Sequence, residues 1–210
     1  MISLIDHIES SSDPKRARIL VGATKVFLAY GFQRTTMDDI ARAAEISRTA
    51  LYVLFRNKTD IYRALASQFL EQAVVETRAI LACPDKPLPQ RFNDATCCFT
   101  QLLDEIDEAP YGQELLDMQN SLAGDIVTSG RAQMVGMFRE AIESDLRASR
   151  RDLGELGLTA GGVAEMLLDA LDGMKMRRPG REVQAALHDQ YVRAISLLVT
   201  GRCDKGSASS

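Results

Sequence analysis

The sequence lacks the long apolar runs of a membrane protein: no run approaches the ~20 residues that a membrane-spanning helix needs. Its N-terminal stretch, MISLIDHIESSSDPK, has acidic residues where a secretory signal would be basic, and no long apolar segment. Hydrophobic residues make up 46% of the chain and charged residues 26%, close to the averages of soluble globular proteins. These features predict a folded, cytoplasmic protein that does not associate with a membrane.

Residues that perform catalysis or bind metals are also scarce. The chain has only two histidines, His7 and His188, and neither neighbours a nucleophile in the sequence. The four cysteines do not have zinc-site spacing, and there is no phosphate-binding loop or dinucleotide-binding glycine pattern. We therefore expect no enzyme, no cofactor and no metal site, and we expect His188 to lie on the surface of a helical bundle. For the adjacent Cys97 and Cys98, reduced buried thiols are favoured and a redox-sensing pair is the alternative.

Charge is distributed unevenly along the chain. Residues 13–58 contain nine basic and four acidic side chains, a net charge of +5. Because the whole chain carries −4, the remainder carries −9. A small basic segment on an acidic body indicates that only this segment meets a polyanion.

Apolar residues recur with a helical period along nearly the whole chain, and strand patterns are almost absent. The stretches TMDD and NKTD have the pattern of helix N-terminal caps. NKTD opens the helix 57–81, which would be about 36 Å long at ~1.5 Å per residue. The other helices are predicted at 14–30, in two short segments that begin at Thr36 and Ser47, and at about 88–108, 111–121, 124–149, 159–176 and 181–200. The sequence thus predicts an all-α fold of about nine helices.

The two short helices have the size of a helix-turn-helix, with the small residue Ala41 at their crossing. In this motif the N-terminal part of the second helix enters the major groove of DNA, where side chains reach base edges. The predicted mini-core consists of Ile40, Ala44, Ile46, Leu51 and Phe55. The polar residues left facing outward at the DNA side are Thr35, Thr36, Arg48, Thr49 and Tyr52.

Each polar residue type matches a particular contact. Arg48 can read guanine through two hydrogen bonds, and Thr49 offers a methyl group or a hydroxyl. Tyr52 can reach a phosphate through its hydroxyl. Lys58 lies at the start of the long helix, where exposed N–H groups also favour phosphate. Arg34 is a flanking cation that either contacts phosphate or is simply solvated.

The stretch ILVGATKVFLAYGFQRTTMDDIARAAEISRTALYVLFRNKTDIYRAL, residues 19–65, resembles the DNA-binding head of the TetR family of transcriptional regulators. The glycine, the threonine pair, "DIA" and the pattern S–ALY––F––K follow in the family's order and spacing. The resemblance covers about a quarter of the chain. It implies an all-α homodimer in which a three-helix reading head is carried on a larger helical body that holds an inducer pocket.

With this resemblance, the chain divides into four predicted parts. A flexible arm, 1–13, precedes a helix-turn-helix DNA-binding domain, 14–58. A helical ligand-binding and dimerisation domain follows at 59–201, and its first part, 59–81, links it to the head. A disordered tail, 202–210, ends the chain.

Three features depart from the family's pattern. Glu45 replaces the usual glycine of the turn, at a position that tends to be left-handed, which predicts a strain of ~1 kcal/mol. Asp38 either stabilises the dipole of its helix, which we favour, or accepts a hydrogen bond from cytosine or repels phosphate. Leu54 is expected in the core. Val53 either contacts a thymine methyl group or marks a lost phosphate contact.

The body is expected to hold a hydrophobic or amphipathic ligand, because methionine adapts to varied apolar ligands. For each candidate, plain core packing is the alternative. The candidate lining residues are Phe92, Phe99, Leu103, Met118, Leu122, Met134, Met137, Phe138 and Met166.

The last two long helices carry broad apolar stripes that require a partner, and the resemblance implies that they pair across a homodimer. A purely internal core is the alternative. The stripes are Val163, Met166, Leu167, Ala170 and Met174 on one helix, and Val183, Leu187, Tyr191, Ala194, Ile195 and Leu198 on the other.

The leading hypothesis is a ligand-responsive transcriptional regulator, with a repressor favoured. Its homodimer would bind a palindromic operator in double-stranded DNA and be released by a small hydrophobic inducer. The alternative is a dimeric ligand- or partner-binding module of the same fold that has lost specific DNA binding.

Overall fold

The computed structural model describes residues 5, 8, 13–177 and 180–201, without the side chains of 98–104, 175 and 181. The described residues form helices and no strand, which confirms the all-α prediction, and none of these helices is long and apolar enough to span a bilayer. The helices are α1 (Pro14–Tyr30), α2 (Met37–Ala43), α3 (Arg48–Leu54), α4 (Lys58–Leu81), α5 (Leu88–Asp107), α6 (Gly112–Ser149), a short 3₁₀ helix (Gly154–Leu156), α7 (Ala160–Arg177) and α8 (Arg181–Thr200).

The predicted helix bounds agree with these to within one residue, with one difference. The predicted helices 111–121 and 124–149 form the single helix α6, which is interrupted at Ala123, where φ is −141° and ψ is 27°.

The chain divides into two compact units. The first comprises Met1–Val75 and Cys98–Arg131, and the second comprises Glu76–Cys97 and Ala132–Ser210. Helices α4, α5 and α6 each run from one unit into the other. This division differs from the predicted boundary after residue 58, because the first part of α6 belongs to the same unit as α1, α2 and α3.

Helix α1 supplies the central apolar face of the first unit. Asp13 caps it by accepting hydrogen bonds from the backbone N–H groups of Lys15 and Arg16, at 3.0 and 3.1 Å. Pro14 suits the first turn, because no helical partner exists there for an N–H group. Burial of each large apolar side chain contributes ~1.5–3 kcal/mol. The fully buried face consists of Ile19, Leu20, Ala23 and Phe27.

The predicted mini-core of the helix-turn-helix is confirmed. Ile40 and Leu51 have no exposed surface, and Ala44 and Phe55 are each 4% exposed. Two further residues, Ile46 and the expected core residue Leu54, are partly buried and pack against the same cluster.

Helix α1 also holds the turn between α2 and α3. A Cβ atom at Gly22 would stand only 2.8 Å from the backbone N of Ala44, so the close approach of α1 to this turn requires glycine. The Arg18 side chain donates through Nη2 to the carbonyls of Ala44 and Glu45, both at 3.0 Å. Glu45 has a φ of 54°, as the predicted left-handed position requires.

Arg63 binds the kink of α6. Its guanidinium pairs with both carboxylate oxygens of Asp125, at 2.7 and 2.6 Å, and donates to the carbonyl of Leu122 at 2.8 Å. Hydrogen bonding from Arg63 lowers the pKa of Asp125 to about 2. Leu122 precedes the non-helical residue Ala123, so Arg63 supplies a donor where regular helical bonding is interrupted.

In the second unit, a buried arginine joins α4, α5 and α6. Arg91, 8% exposed, donates to the carbonyls of Leu81 at 2.9 Å and Lys86 at 3.0 Å, and it pairs with Asp145. An unpaired charge at such a site would cost several kcal/mol, so these bonds fix the end of α4 against its neighbours.

His188 is buried, so the prediction that it lies on the surface is wrong. The residue is 8% exposed, and its Nε2 lies 2.5 Å from the hydroxyl oxygen of Thr96 on α5. Burial lowers the pKa of His188, because the imidazolium form loses its hydration. The sequence shows the helix on which His188 lies but not the hydroxyl partner that allows a polar ring to be buried.

The predicted stripes of α7 and α8 divide into buried and exposed residues. Met166 and Val183 are 52% and 53% exposed. Met176, which lies outside the predicted stripes, is also exposed, at 84%. Leu197, also outside them, is 46% exposed. The stripe residues buried within the second unit are Val163, Leu167, Met174 and Ile195. An internal core therefore accounts for one part of the stripes, the other part is exposed on this chain, and pairing across a homodimer stays a prediction.

At the N-terminus, Ile5 and Ile8 are helical. Ile8 is 3% exposed, and its carbonyl accepts a hydrogen bond from the Gln68 side chain at 3.2 Å. These two residues differ from the expected flexible arm, because their apolar side chains pack against the core of the first unit. The predicted tail, 202–210, lies outside the described residues.

Replacing Glu45 with glycine should relieve the left-handed strain and raise the free energy of unfolding by ~1 kcal/mol. The matched control, Glu45→Ala, removes the same charge but keeps the Cβ atom, so we expect a change within about 0.5 kcal/mol. Urea unfolding followed by circular dichroism measures both. Equal stabilisation by the two variants would assign the cost to the charge instead of the backbone.

The lowered pKa of His188 makes stability depend on pH. The ordinary value is 6.5, so as the pH falls below it the unfolded chain binds the proton before the folded protein does. The stability contributed by neutral His188 is fully present above that pH and decreases as the pH falls toward the lowered pKa. His188→Gln cannot titrate, so its unfolding free energy should fall less than that of the wild type between about pH 7.5 and about pH 5.5. An equal fall in both proteins would contradict this.

Candidate nucleic-acid interface

Helix α3 presents one exposed face. Arg48, Thr49, Tyr52 and Val53 are all exposed, whereas Leu51 is fully buried. At about 100° per residue, the four exposed side chains lie within an arc of about 140°. Ser47 caps the helix by accepting a hydrogen bond from the backbone N–H of Ala50 at 3.1 Å. The capped N-terminus and the polar arc belong to the same short helix, as the helix-turn-helix interpretation predicted.

Arg48 is held by two neighbours. Its Nη1 lies 3.0 Å from the Asp38 carboxylate on α2, and its guanidinium lies 5.5 Å from the centre of the Tyr52 ring. Hydrogen bonding with Tyr52, together with the Asp38 charge, raises the pKa of Arg48. The side chains of Arg48 and Asp38 remain 62% and 50% exposed. The prediction from sequence missed this ion pair, because it considered Asp38 only in relation to its own helix dipole and to DNA.

Val53 is 76% exposed at the edge of the same arc. This agrees with the expectation that Val53, unlike Leu54, does not belong to the core. An apolar side chain on this face can contact the methyl group of thymine, which only A·T pairs present in the major groove.

Thr36 and Asp39 form the predicted capping box at the start of α2. The Thr36 hydroxyl accepts from the Asp39 backbone N–H at 3.2 Å and donates to the Asp39 carboxylate at 2.6 Å. The same carboxylate accepts from the Thr36 backbone N–H at 3.0 Å. These bonds from Thr36 lower the pKa of Asp39. Thr36 is exposed, but its hydroxyl hydrogen is already used within the cap.

Thr35 does not face outward, so the prediction is wrong for this residue. It is 3% exposed, and its hydroxyl donates to the carbonyl of Gly31 at 2.7 Å. Gly31 ends α1 with a φ of 85°. Thr35 therefore closes the turn after α1 and offers no group to a ligand of the α3 face.

Lys58 has a structural role that differs from the predicted phosphate contact. Its ammonium group donates to the carbonyls of Phe32, Gln33 and Thr35 at 2.7, 3.0 and 3.1 Å. It also lies 4.7 Å from the centre of the Phe32 ring. All three N–H donors of the ammonium are used, so Lys58 has no donor left for a phosphate oxygen.

Arg34 is exposed in the loop between α1 and α2. Its Nη1 donates to the Tyr111 hydroxyl at 2.8 Å, and its guanidinium lies 5.4 Å from the centre of that ring. The adjacent residue Gln33 donates its backbone N–H to the Glu114 carboxylate at 3.0 Å. The loop is therefore bound to the residues at the start of α6, a connection between distant segments that no local pattern revealed.

The candidate ligand-lining residues fall in both units. In the first unit, Met118 and Leu122 are partly buried and pack against the unit's core. In the second unit, Phe92 and Phe138 are buried with their rings edge to face, 4.9 Å between centres. Plain core packing accounts for this aromatic pair.

Among the other lining candidates of the second unit, Met137 is buried and Met134 is partly buried. Met166 is 52% exposed, so it does not line an enclosed cavity of this chain. The side chains of Phe99 and Leu103 lie outside the described residues. A pocket formed by this set therefore stays a prediction.

Cys97 is partly buried, and burial raises its pKa, so its reactive thiolate form is disfavoured. This favours the interpretation of an inert thiol. The side chain of Cys98 is outside the description. Among the described residues, no three His, Cys, Asp or Glu side chains are grouped as a metal ion requires.

Residues 19–65 match the family described as "Bacterial regulatory proteins, tetR family". The HTH-type transcriptional regulator TtgR of Pseudomonas putida is 31% identical over 99 residues, which are 43% of this chain and 47% of TtgR. The HTH-type transcriptional activator FasR of Mycolicibacterium smegmatis is 32% identical over 69 residues, 33% of this chain and 32% of FasR. The matched segments thus span less than half the length of these curated relatives.

Among solved structures, this fold is similar to that of SmeT, the repressor of the Stenotrophomonas maltophilia multidrug efflux pump SmeDEF. The TM-score is 0.60 at 18% identity, over 95% of this chain and 94% of SmeT. A structure of the SmeT–triclosan complex gives a TM-score of 0.58 over 92% of this chain and 94% of that one, also at 18% identity. Identity at this level shows the fold alone.

The family match lies on the segment that builds the α3 face, and the fold likeness extends over nearly the whole chain. Residues 19–65, which include α2 and α3, therefore match the tetR family of bacterial regulatory proteins, and the fold of the chain is similar to that of solved regulators.

Proposed function

We propose that the protein is a ligand-responsive transcriptional regulator that binds double-stranded operator DNA through α3. The observation that carries this proposal is the exposed arc of Arg48, Thr49, Tyr52 and Val53 on a helix whose opposite side is buried. Arg48 can donate two hydrogen bonds to guanine, Thr49 can meet a base edge, and Val53 can contact a thymine methyl group. The net charge of +5 over residues 13–58 supports approach to DNA.

The phosphate contacts come from residues other than Lys58. Tyr52 is exposed beside Arg48, and the exposed Arg34 lies in the loop before α2. Arg42 and Arg56, two further exposed cations, add to the attraction for the DNA backbone. Fewer direct phosphate contacts mean that each half-site binds more weakly, which increases the need for two heads on one operator.

The protein acts as a homodimer through α7 and α8, and two heads related by a two-fold axis match a palindromic operator. Exposed apolar side chains on both helices support this arrangement: Met166 and Met176 on α7, and Val183 and Leu197 on α8. Pairing of these surfaces in a four-helix bundle would remove them from water.

A small hydrophobic inducer binds in the helical body and shifts the population of head spacings away from the one that fits DNA. The apolar core of the second unit supports a hydrophobic ligand, and the fold likeness to a protein solved with triclosan agrees with it. Helices α4 and α6 each run through both units, so a change around either helix in one unit can reach the other. No cofactor is required for this function, and its place is the cytoplasm.

A repressor is favoured over an activator. Relatives of both kinds exist, since FasR is named an activator and SmeT a repressor. The likeness to the repressor SmeT covers nearly the whole chain, including the body that receives the ligand. A repressor also needs only to occupy its operator and requires no surface for contact with the transcription machinery.

The alternative is a dimeric module of the same fold that binds a ligand or partner but has lost specific DNA binding. Asp38 on the DNA-facing side and the engagement of Lys58 within the fold are the features that favour it. The exposed arc of α3 outweighs them, because a module without DNA has no need to keep Arg48 and Tyr52 together on a capped helix.

Selection of bound duplexes from fragmented genomic DNA by the purified protein tests the proposal. The wild type should enrich a palindromic site. The double variant Arg48→Ala, Tyr52→Ala should bind this site at least about tenfold more weakly, since one bidentate base contact contributes ~1–3 kcal/mol. Arg139→Ala, which removes an exposed arginine of α6, is the control and should retain the selection. Failure of the wild type to enrich any sequence at low salt would favour the alternative module.

The dimer is tested by placing a charge on its surface. Leu197→Glu should shift the protein from dimer to monomer in sedimentation velocity and weaken operator binding, because a buried carboxylate without a partner disrupts an apolar interface. The control is Leu156→Glu in the 3₁₀ helix, where Leu156 is 55% exposed and Leu197 is 46% exposed. This variant should remain dimeric. If Leu197→Glu stayed dimeric, the interface would lie elsewhere.

A further inference from the structure

We propose that Asp38 is a positioning residue for DNA reading: it holds Arg48 in the orientation that reads a base and limits the use of Arg48 as a general phosphate contact. This rests on the proposed function. The two residues come from different helices of the helix-turn-helix, the first turn of α2 and the first residue of α3, and their side chains meet at 3.0 Å.

The Asp38 carboxylate and the Tyr52 ring restrain the guanidinium together. Asp38 accepts a hydrogen bond from Nη1, and the Tyr52 ring lies 5.5 Å away. A guanidinium has several N–H donors in one rigid plane, so the bonds to Asp38 and Tyr52 still leave enough donors for the two-bond contact with guanine O6 and N7. Arg48 can therefore keep its partner while it reads a base.

The effect of the ion pair on stability is small, because both side chains are at least half exposed, at 62% and 50%, and solvent screens exposed ion pairs. Asp38 can also stabilise the dipole of α2, but that role does not require contact with Arg48. The specific consequence of the contact is the orientation of Arg48. The contact restricts the rotamers of this long side chain before DNA binds, so less conformational entropy is lost on binding.

The carboxylate also changes the balance between specific and general binding. A free arginine on this face would add one phosphate contact to any duplex. An arginine paired with Asp38 has its charge compensated, which weakens its attraction to phosphate, but it can still donate to the neutral acceptors of guanine. Asp38 thus lowers affinity for non-specific DNA more than affinity for the operator. This raises the ratio of the two affinities, which decides whether a regulator finds its site among competing sequences.

The test compares four variants with the wild type: Asp38→Ala, Asp38→Asn, Arg48→Ala and the matched control Glu45→Gln. Glu45→Gln removes one acidic charge from the same helix-turn-helix, and Glu45 is not the partner of Arg48. For each protein, affinities are measured for the operator from the selection above, for its single-base variants and for a non-specific duplex, over a range of salt concentrations. Circular dichroism checks that each variant is folded.

Asp38→Ala should lower the ratio of operator to non-specific affinity about tenfold. The lost discrimination should be at one base pair, the same one at which Arg48→Ala no longer distinguishes between bases. Its affinity for non-specific DNA should fall with salt more steeply, by about one further phosphate contact. Asp38→Asn keeps an acceptor oxygen and should lose part of the ratio. Glu45→Gln should raise both affinities alike and leave the ratio and the salt slope unchanged.

If both Asp38 variants matched Glu45→Gln in ratio and in salt slope, Asp38 would be a plain repulsive charge and the inference would be wrong. Should Asp38→Ala fail to fold, the same comparison with Asp38→Asn decides. A wild type that enriches no duplex would overturn the proposed function, and this inference with it. A wild type that selects an operator through Arg48, with Asp38 variants equal to the control, would overturn the inference alone.

Discussion

The three-helix head, α1 to α3, depends on the hydrogen bonds that the Lys58 ammonium group donates. It donates to the carbonyls of Phe32, Gln33 and Thr35, so the first residue of α4 closes the loop that leads from α1 into α2. The carbonyl of Thr35 immediately precedes the cap of α2 at Thr36. One side chain thereby sets where α2 starts and, through the packing of α2 on α3, where the recognition arc lies. A cation satisfied by three carbonyls can remain in a partly buried site without a carboxylate partner.

This use of Lys58 changes the meaning of the positive charge of the head. Arg18 is bound to the turn between α2 and α3, and Arg34 lies on the Tyr111 ring. These residues still contribute to the field that attracts a polyanion, because Coulomb interactions act over several ångströms and do not require direct contact. Lys58, however, has no donor left for direct contact with DNA. The net charge of a segment therefore predicts its attraction to DNA better than it predicts which residues touch DNA.

Buried polar groups organise the second unit as well. Arg91 is satisfied by two carbonyls and Asp145, and His188 by the hydroxyl of Thr96. A buried polar group with its full set of partners specifies one arrangement of the helices, since any shift leaves a donor or acceptor unpaired at a cost of ~1–3 kcal/mol. This is how a core that is otherwise apolar fixes the register of α5 against α6 and α8.

The sequence by itself determined the helices, their caps and the resemblance of residues 19–65 to the TetR family. Helix bounds follow from local signals, such as Asp13 before Pro14 and the Thr36–Asp39 box, and each needs only a few neighbouring residues. The core position of Leu54 followed from helical periodicity, and the left-handed position of Glu45 followed from the family resemblance. The tertiary structure alone decided the partners of the charged and polar side chains: Lys58 with its carbonyls, Arg48 with Asp38, Thr35 with Gly31, and His188 with Thr96. A helical period shows which way a side chain points, but long side chains choose partners by geometry in three dimensions, and no periodicity encodes the distance between two helices.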